Sequence, residues 1–91
     1  MSDPSAPSQR ATVTLRNTLG LHARPAAVLA RMVAGLDAEV RINGANAASI
    51  LDLMKLGASG GLELTVMATG AQAEEAVRAV VAAITAGLGE A

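Results

Sequence analysis

Alternating apolar and polar positions mark the first element of the chain. In the stretch RATVTLR, residues 10–16, Ala11, Val13 and Leu15 alternate with polar side chains. A period of two is typical of a β-strand with one face in the core and one face in solvent. The pattern therefore predicts a strand over residues 10–16. Residues 1–9, which are rich in Pro and Ser, are expected to form a disordered tail.

A helical period follows this strand. Apolar residues recur at the i, i+3, i+4 and i+7 spacing of one helix face at Leu29, Met32, Val33 and Leu36. Pro25 suits the first turn of such a helix, because the N–H group that proline lacks is not needed there. Gly35 is expected to end the helix as a C′ glycine.

A hairpin and a second, short helix come next. Val40 and Ile42 alternate with charged residues, and the following pair Asn43-Gly44 is the preferred two-residue turn between antiparallel strands. The returning strand, near residues 45–48, has little strand character. Ser49 then precedes ILDLMKLG with Asp52 three residues on, a variant of the capping box that opens a helix, and Gly57 is expected to close it.

One more strand and one more helix complete the pattern. The strand in GGLELTVMATG has one apolar face, formed by Leu62, Leu64, Val66 and Ala68. The last helix has an apolar stripe formed by Ala73, Val77, Val80 and Ile84. The order β-α-β-β-α-β-α predicts an α+β fold in which three helices cover one side of a four-stranded antiparallel sheet. We expect residues 10–91 to form a single domain.

Composition narrows the range of functions. The 91 residues are 52% hydrophobic but include no aromatic residue, so the core must be aliphatic and base-stacking platforms are missing. The net charge is -1 and the seven Lys and Arg residues are scattered, which excludes a nucleic acid partner. No cysteine and only one histidine are present, so we expect no disulfide, metal site or cofactor. A secretory signal and a membrane-spanning run are also missing, which predicts a cytoplasmic protein without membrane insertion.

The single histidine lies where the first helix is about to begin, in LGLHARPAAVLARMVAG, residues 19–35. A neutral imidazole is nucleophilic and can attack phosphorus without a separate base. The first N–H groups of a helix, together with its dipole, form a site for an anion, and Arg24 adds donors that match phosphate oxygens. His22 and Arg24 are therefore candidates for phosphoryl capture.

Structural roles remain open for the same residues. A lone histidine near a helix start is often a surface or capping residue, and an arginine in a first turn is often merely solvated. Ser49 is a preferred N-cap residue whatever its function. Paired carboxylates, a Ser-His-acid set and a nucleotide-binding glycine loop are all missing, so we expect a carrier or binding protein and not an enzyme.

Two segments resemble one known family. GLHARPA resembles the active-site segment of HPr, the histidine-containing phosphocarrier of the bacterial phosphoenolpyruvate-dependent sugar phosphotransferase system, and AASILDLMKLGA resembles the second signature of that family. The likeness extends from Ala11 to Gly87. It implies an open-faced β-sandwich in which His22 is phosphorylated on Nδ1, Arg24 contacts the phosphoryl group and Ser49 is a regulatory phosphorylation site.

The resemblance also implies partners. Enzyme I, charged by phosphoenolpyruvate, would donate the phosphoryl group, and enzyme IIA domains would receive it during sugar uptake. Leu21, Ile50, Leu51 and Met54 would form the docking patch for both. A serine kinase/phosphorylase would act on Ser49, and a shuttle that shows one open face to successive partners is expected to be a monomer.

Alternatives remain at this point. A paralogue that acts mainly in regulation or signalling, such as a nitrogen-branch carrier or a serine-phosphorylated corepressor, would use the same surface. A passive, ferredoxin-like interaction domain would use His22 only to cap or pack. The apolar residues of the second helix exceed one core-facing stripe, which indicates an exposed docking patch, unless neighbouring elements cover the whole helix.

Overall fold

The order of secondary-structure elements is the one that the periodicities predict. The computed structural model describes residues 8–90 of the chain. Its elements are β1 (Ser8–Thr14), α1 (Ala23–Ala34), β2 (Glu39–Ile42), β3 (Ala45–Asn46), α2 (Ile50–Lys55), β4 (Glu63–Thr69) and α3 (Ala73–Thr85). The predicted order β-α-β-β-α-β-α is therefore confirmed.

The four strands form one antiparallel sheet in the order β1-β4-β2-β3. Burial alternates along the central strand β4, where Leu64, Val66 and Ala68 are buried while Glu63 and Met67 are exposed. The helices pack against the buried face, and α3 contacts β1, β4 and β2. The fold is an open-faced sandwich with one helix-covered face, as predicted.

The core between sheet and helices is aliphatic. All four residues of the predicted α3 stripe are buried: Ala73, Val77, Val80 and Ile84. On α1, Leu29 and Val33 are buried, whereas Met32 is only partly covered. The longest helix has 13 residues, and no helix within residues 8–90 is long and apolar enough to cross a membrane.

The first strand begins earlier than the alternation predicts. It starts at Ser8, so Ser8 and Gln9 belong to the sheet and not to the tail, because they continue the ladder with β4 through the pairs Ser8↔Thr69 and Gln9↔Ala68. The rest of the predicted tail, residues 1–7, lies outside the described residues. Leu15 is buried just after β1 ends, and its amide donates to the carbonyl of Leu62 at 2.9 Å.

The turn at Asn43 and Gly44 is confirmed. Both residues have positive φ, 49° and 85°, as the two-residue turn requires, although the returning strand β3 contains only two residues. Two other expectations need correction. Gly35 ends α1 as predicted, but as a C-cap in a right-handed conformation (φ −87°) and not as a left-handed C′ glycine, because bonds to the carbonyls of Met32 and Val33 tighten the last turn. Leu62 precedes β4 and is exposed.

Candidate functional site

His22 occupies the N-cap position of α1. Its backbone is extended (φ −79°, ψ −171°), and its carbonyl oxygen accepts the amide of Ala26 at 3.0 Å. Within residues 8–90 its side chain makes no capping hydrogen bond, and 36% of the side chain is exposed. A side-chain cap, one of the structural roles that the sequence left open, is therefore excluded, and the ring is accessible to a reactant.

Hydrogen-bond donors surround the start of α1. The first N–H groups of any helix lack acceptors inside the helix, and Ala23 and Arg24 occupy these positions. Pro25 is buried in the same turn and has no N–H to add. Arg24 is exposed, and the positive end of the helix dipole lies at the same place. The structure thus places two backbone amides at the start of the helix that His22 caps, and the guanidinium of Arg24 is close enough for its charge to act on Glu90, which contacts the imidazole. Such donors are suited to an anion.

The loop before His22 is anchored to the segment after α2. The amide of Leu21 donates to the carbonyl oxygen of Ala58 at 3.0 Å. Gly20 has φ +74°, and a Cβ atom at this position would lie 2.2 Å from that same oxygen. Glycine is the residue that fits both the left-handed backbone and the close approach. The pair Gly20-Leu21 therefore fixes the position of His22 at the start of α1.

Leu21 does not belong to a docking surface. Only 4% of it is exposed, because it packs into the core beneath the loop that contains Ala58. We therefore correct its assignment from docking residue to core residue. Leu19, two positions earlier, is instead 79% exposed. It borders an open pocket of about 440 Å³ whose wall also includes Asn17 and Glu90.

The second helix does expose apolar side chains. Ile50, Leu51 and Met54 are all exposed, Leu51 to 69%, while Leu53 on the same helix is fully buried. We call these three exposed residues the α2 patch. The alternative of a fully covered helix is wrong. The helix packs against α1, and Ala58 just beyond it contacts the loop of His22, so the patch belongs to the same end of the molecule as the imidazole.

Ser49 is the N-cap of α2. Its hydroxyl oxygen accepts the backbone amide of Asp52 at 3.2 Å, while its own amide donates to the carbonyl of Asn46. The reciprocal half of a capping box is therefore missing. Gly57 follows the helix with φ +62° and closes it as predicted. The side chain is partly exposed, and the cap accounts for a serine at this position.

A carboxylate near the end of the chain contacts the histidine. Oε2 of Glu90 lies 3.0 Å from Nε2 of His22, and 24% of the Glu90 side chain is exposed. The other carboxylate oxygen, Oε1, accepts a hydrogen bond from Nδ2 of Asn17 at 2.6 Å. The same Nδ2 also donates to the carbonyl of Gly87 at 2.9 Å. Glu90 is thus held between a buried amide and the imidazole.

These contacts favour the ionised form of Glu90. The hydrogen bond from Asn17 is the largest influence, and it lowers the pKa of the carboxyl group below its ordinary value. Burial is the next influence and raises this pKa, while the hydrogen bond and charge of His22 and the charge of Arg24 lower it further. At neutral pH the site therefore contains a carboxylate beside the ring and a guanidinium nearby.

Neither Asn17 nor Glu90 was identified from the sequence. They are separated by 73 residues, and Glu90 and His22 by 68, so no local spacing could join them. Asn17 stands between Arg16 and Thr18, so its polarity does not distinguish it from its neighbours in the sequence. Asn17 is the buried polar residue of the described chain, and its Oδ1 atom has no hydrogen-bond partner there.

Sequence comparison finds relatives along most of the chain. The family model described as the PTS HPr component phosphorylation site matches residues 9–86. The phosphocarrier protein NPr of Escherichia coli K12 is 42% identical over 84 residues, which cover 87% of this chain and 93% of that protein. A multiphosphoryl transfer protein of Vibrio cholerae is 36% identical over 94% of this chain, which corresponds to 23% of that longer protein.

Solved structures agree with the sequence relatives. The crystal structure of HPr from Thermoanaerobacter tengcongensis superposes with a TM-score of 0.84 at 33% identity, over 91% of this chain and 98% of that chain. The HPr of Bacillus anthracis superposes with a TM-score of 0.79 at 32% identity, over 85% of this chain and 96% of that chain. The sequence motifs, the fold and both comparisons agree that this chain belongs to the HPr family of phosphocarrier proteins of the phosphotransferase system.

Proposed function

We propose that this chain accepts a phosphoryl group on His22 from phosphorylated enzyme I and passes it to enzyme IIA domains during sugar uptake. The observation that carries the proposal is the position of the imidazole. It is partly exposed at the start of α1, where the amides of Ala23 and Arg24 lack acceptors inside the helix and the Arg24 side chain is exposed. These donors can bind phosphoryl oxygens, while the ring nitrogen bonds to phosphorus.

Each transfer exchanges one nitrogen–phosphorus bond for another. The lone pair of His22 Nδ1 forms a bond to phosphorus while the bond to the donor histidine of enzyme I breaks and its electron pair returns to that ring. The second transfer, to a histidine of an enzyme IIA domain, repeats the exchange with His22 as the leaving group. A single guanidinium in an open site suits a carrier, because each ~1.4 kcal/mol of added stabilisation would make onward transfer about tenfold less favourable.

The α2 patch is our proposed docking surface for both partners. Its three side chains, Ile50, Leu51 and Met54, present apolar area to solvent at the His22 end of the molecule. A carrier must release each partner quickly, and a small apolar contact serves this purpose better than an extensive interface. We propose that the protein acts as a cytoplasmic monomer, since both partners would use the same face.

Phosphoryl transfer from phosphoenolpyruvate tests the proposal. Wild-type protein incubated with enzyme I, Mg²⁺ and phosphoenolpyruvate should gain one acid-labile phosphoryl group, and His22→Ala should gain none. Glu63→Gln, on the exposed face of β4, is the control for an unrelated surface change. Circular dichroism checks that each variant is folded. Failure of wild-type protein to gain the group, under conditions that charge another HPr, would refute the proposal and favour a passive interaction domain. Unchanged labelling of His22→Ala would refute His22 as the acceptor.

A second candidate is a paralogue that acts mainly in regulation or signalling with the same chemistry. The observation in its favour is that relatives at 42% identity are named phosphocarrier protein NPr, a name distinct from HPr. Complementation of sugar uptake in cells that lack HPr separates the two. Restored uptake supports the sugar carrier, whereas a chain that is charged by enzyme I but restores no uptake supports the regulatory paralogue.

Ser49 as a regulatory phosphorylation site remains a prediction. A phosphate on its hydroxyl would lie at the start of α2, next to the α2 patch and three residues before Asp52. The added charge of about -1.5 to -2 would change docking with little effect on the helix, because an anion at a helix N-terminus is tolerated. Incubation with a serine kinase/phosphorylase, followed by mass measurement of wild type and Ser49→Ala, tests this role.

A further inference from the structure

The carboxylate beside the imidazole is not used by the transfer chemistry described above. Deepening the proposed function, and resting on it, we propose that Glu90 is a positioning residue that keeps the proton of His22 on Nε2 and the reactive lone pair on Nδ1. Asn17 would hold Glu90 in place for this task. The proposal concerns which ring nitrogen reacts and how the ring's charge is balanced after it has reacted.

The contact itself assigns the proton. An ionised carboxylate has no hydrogen to donate, so the 3.0 Å contact between Oε2 and Nε2 is a hydrogen bond only if Nε2 carries the proton. In a neutral imidazole the other nitrogen then holds the lone pair. Nδ1 of His22 is therefore the nucleophilic atom whenever Glu90 remains ionised and in contact.

Asn17 fixes the orientation of the Glu90 carboxylate. Its Nδ2 group can only donate, and it donates to Oε1 of Glu90 and to the carbonyl oxygen of Gly87. Asn17 is 93% buried by the surrounding chain, with 7% exposed, so this amide has little freedom to turn. Oε1 of Glu90 accepts the hydrogen bond from Asn17, and Oε2 lies against the imidazole.

The same contact compensates charge during transfer. When Nδ1 bonds to phosphorus, no proton leaves the ring, because Nε2 keeps its hydrogen and the imidazole acquires a positive charge. The Glu90 carboxylate, 3.0 Å away, neutralises that charge. In serine proteases an aspartate plays the corresponding part toward its histidine, by fixing the tautomer and stabilising the imidazolium.

Glu90→Gln should reverse the tautomer of His22. Asn17 presents N–H groups, so the amide oxygen of a glutamine would turn toward Asn17 and its NH₂ group would face the ring. That NH₂ group would donate to Nε2, and the proton of His22 would move to Nδ1. Glu90→Ala would remove the preference without reversing it. Because Glu90 lies near the end of the described chain and is partly exposed, we expect both variants to fold.

Nitrogen NMR of the imidazole tests the tautomer without any partner protein. His22 is the single histidine, so the spectrum contains one pair of ring nitrogens. Well above the ordinary imidazole pKa of about 6.5, wild type should show Nε2 protonated, and Glu90→Gln should shift the population toward protonated Nδ1. Glu63→Gln removes the same charge from β4 and should leave the spectrum as in wild type.

Charging by enzyme I tests the consequence. Glu90→Gln should accept the phosphoryl group about tenfold more slowly than wild type and Glu63→Gln, as expected when the partner that orients a reactive histidine is lost. An unchanged tautomer in Glu90→Gln, or a changed tautomer with an unchanged charging rate, overturns the inference. If wild type itself is not charged, the proposed function fails, while the NMR measurement still decides the tautomer.

Discussion

Gly20→Ala is expected to destabilise the protein and to displace His22. The alanine would have to adopt φ near +74°, a left-handed conformation that costs about 1–2 kcal/mol for a residue with a Cβ atom. Its Cβ would also meet the Ala58 carbonyl oxygen at 2.2 Å, which is backbone and cannot rotate away. The Leu21–Ala58 hydrogen bond would then be lost, at a net cost of about 0.5–1.5 kcal/mol.

The expected loss is therefore about 1.5–3.5 kcal/mol in the free energy of unfolding, measured by urea denaturation. Gly44→Ala provides a matched control. Gly44 has φ +85°, but a Cβ atom there would meet nothing within 4 Å, so only the conformational cost of about 1–2 kcal/mol applies. For a domain of this size, each kcal/mol corresponds to roughly 4–8 °C in Tm.

The two glycine variants should also differ in function. Gly20→Ala shifts the loop that leads into α1, so we expect a slower charging of His22 by enzyme I at a temperature where the variant is still folded. Gly44→Ala, in the turn between β2 and β3, should be charged at the wild-type rate. Equal destabilisation of the two variants would refute the close-approach reasoning, and equal charging rates would refute the link between Gly20 and the site.

Three further predictions concern the surface of the site. Leu51→Ala removes the most exposed side chain of the α2 patch and should raise the KM of enzyme I for this protein at least about tenfold, since burying a leucine contributes ~1.5–3 kcal/mol. Leu62→Ala, at another exposed leucine, should leave this KM unchanged. Equal KM values for the two variants would contradict the docking role. Ser49→Ala should lower the free energy of unfolding, measured in urea, by ~1 kcal/mol, whereas Ser49→Asp should retain the cap and the stability. Equal losses of stability in the two variants would contradict the capping role. The pKa of Glu90 is lowered in the folded state, so its contribution to stability is present above the ordinary value of 4.5 and is lost as pH falls through the folded pKa. The difference in the free energy of unfolding between wild type and Glu90→Gln should therefore become smaller as the pH is lowered. A difference that does not change with pH would contradict this role of Glu90.

Periodicity predicted the elements of the fold because each element buries one face. The α3 stripe from Ala73 to Ile84 is wholly buried, as its spacing indicates, and the Asn43-Gly44 turn has the positive φ angles that its residues favour. Errors occurred where the chain leaves regular structure. Leu62 continues the alternation of β4 but lies before the strand, where it is 43% exposed.

The site was only partly predictable for the same reason. His22 and Arg24 are adjacent to a recognisable helix start, so local spacing brings them together. Leu21 lies in a loop without a period, and its burial depends on the distant Ala58. Glu90 reaches the ring only because the end of α3 returns to the start of α1, which is a property of the topology and not of any short segment.

The unequal edges of the sheet have a consequence for self-association. One edge, β3, is only two residues long, and the other, β1, carries Arg10 and two exposed threonines. A strand edge with unpaired backbone groups is a template for aggregation, and very short or charged edges suppress it. Both edges of this sheet therefore disfavour the pairing of one copy with another, so concentrated protein should resist growth into continuous β-structure.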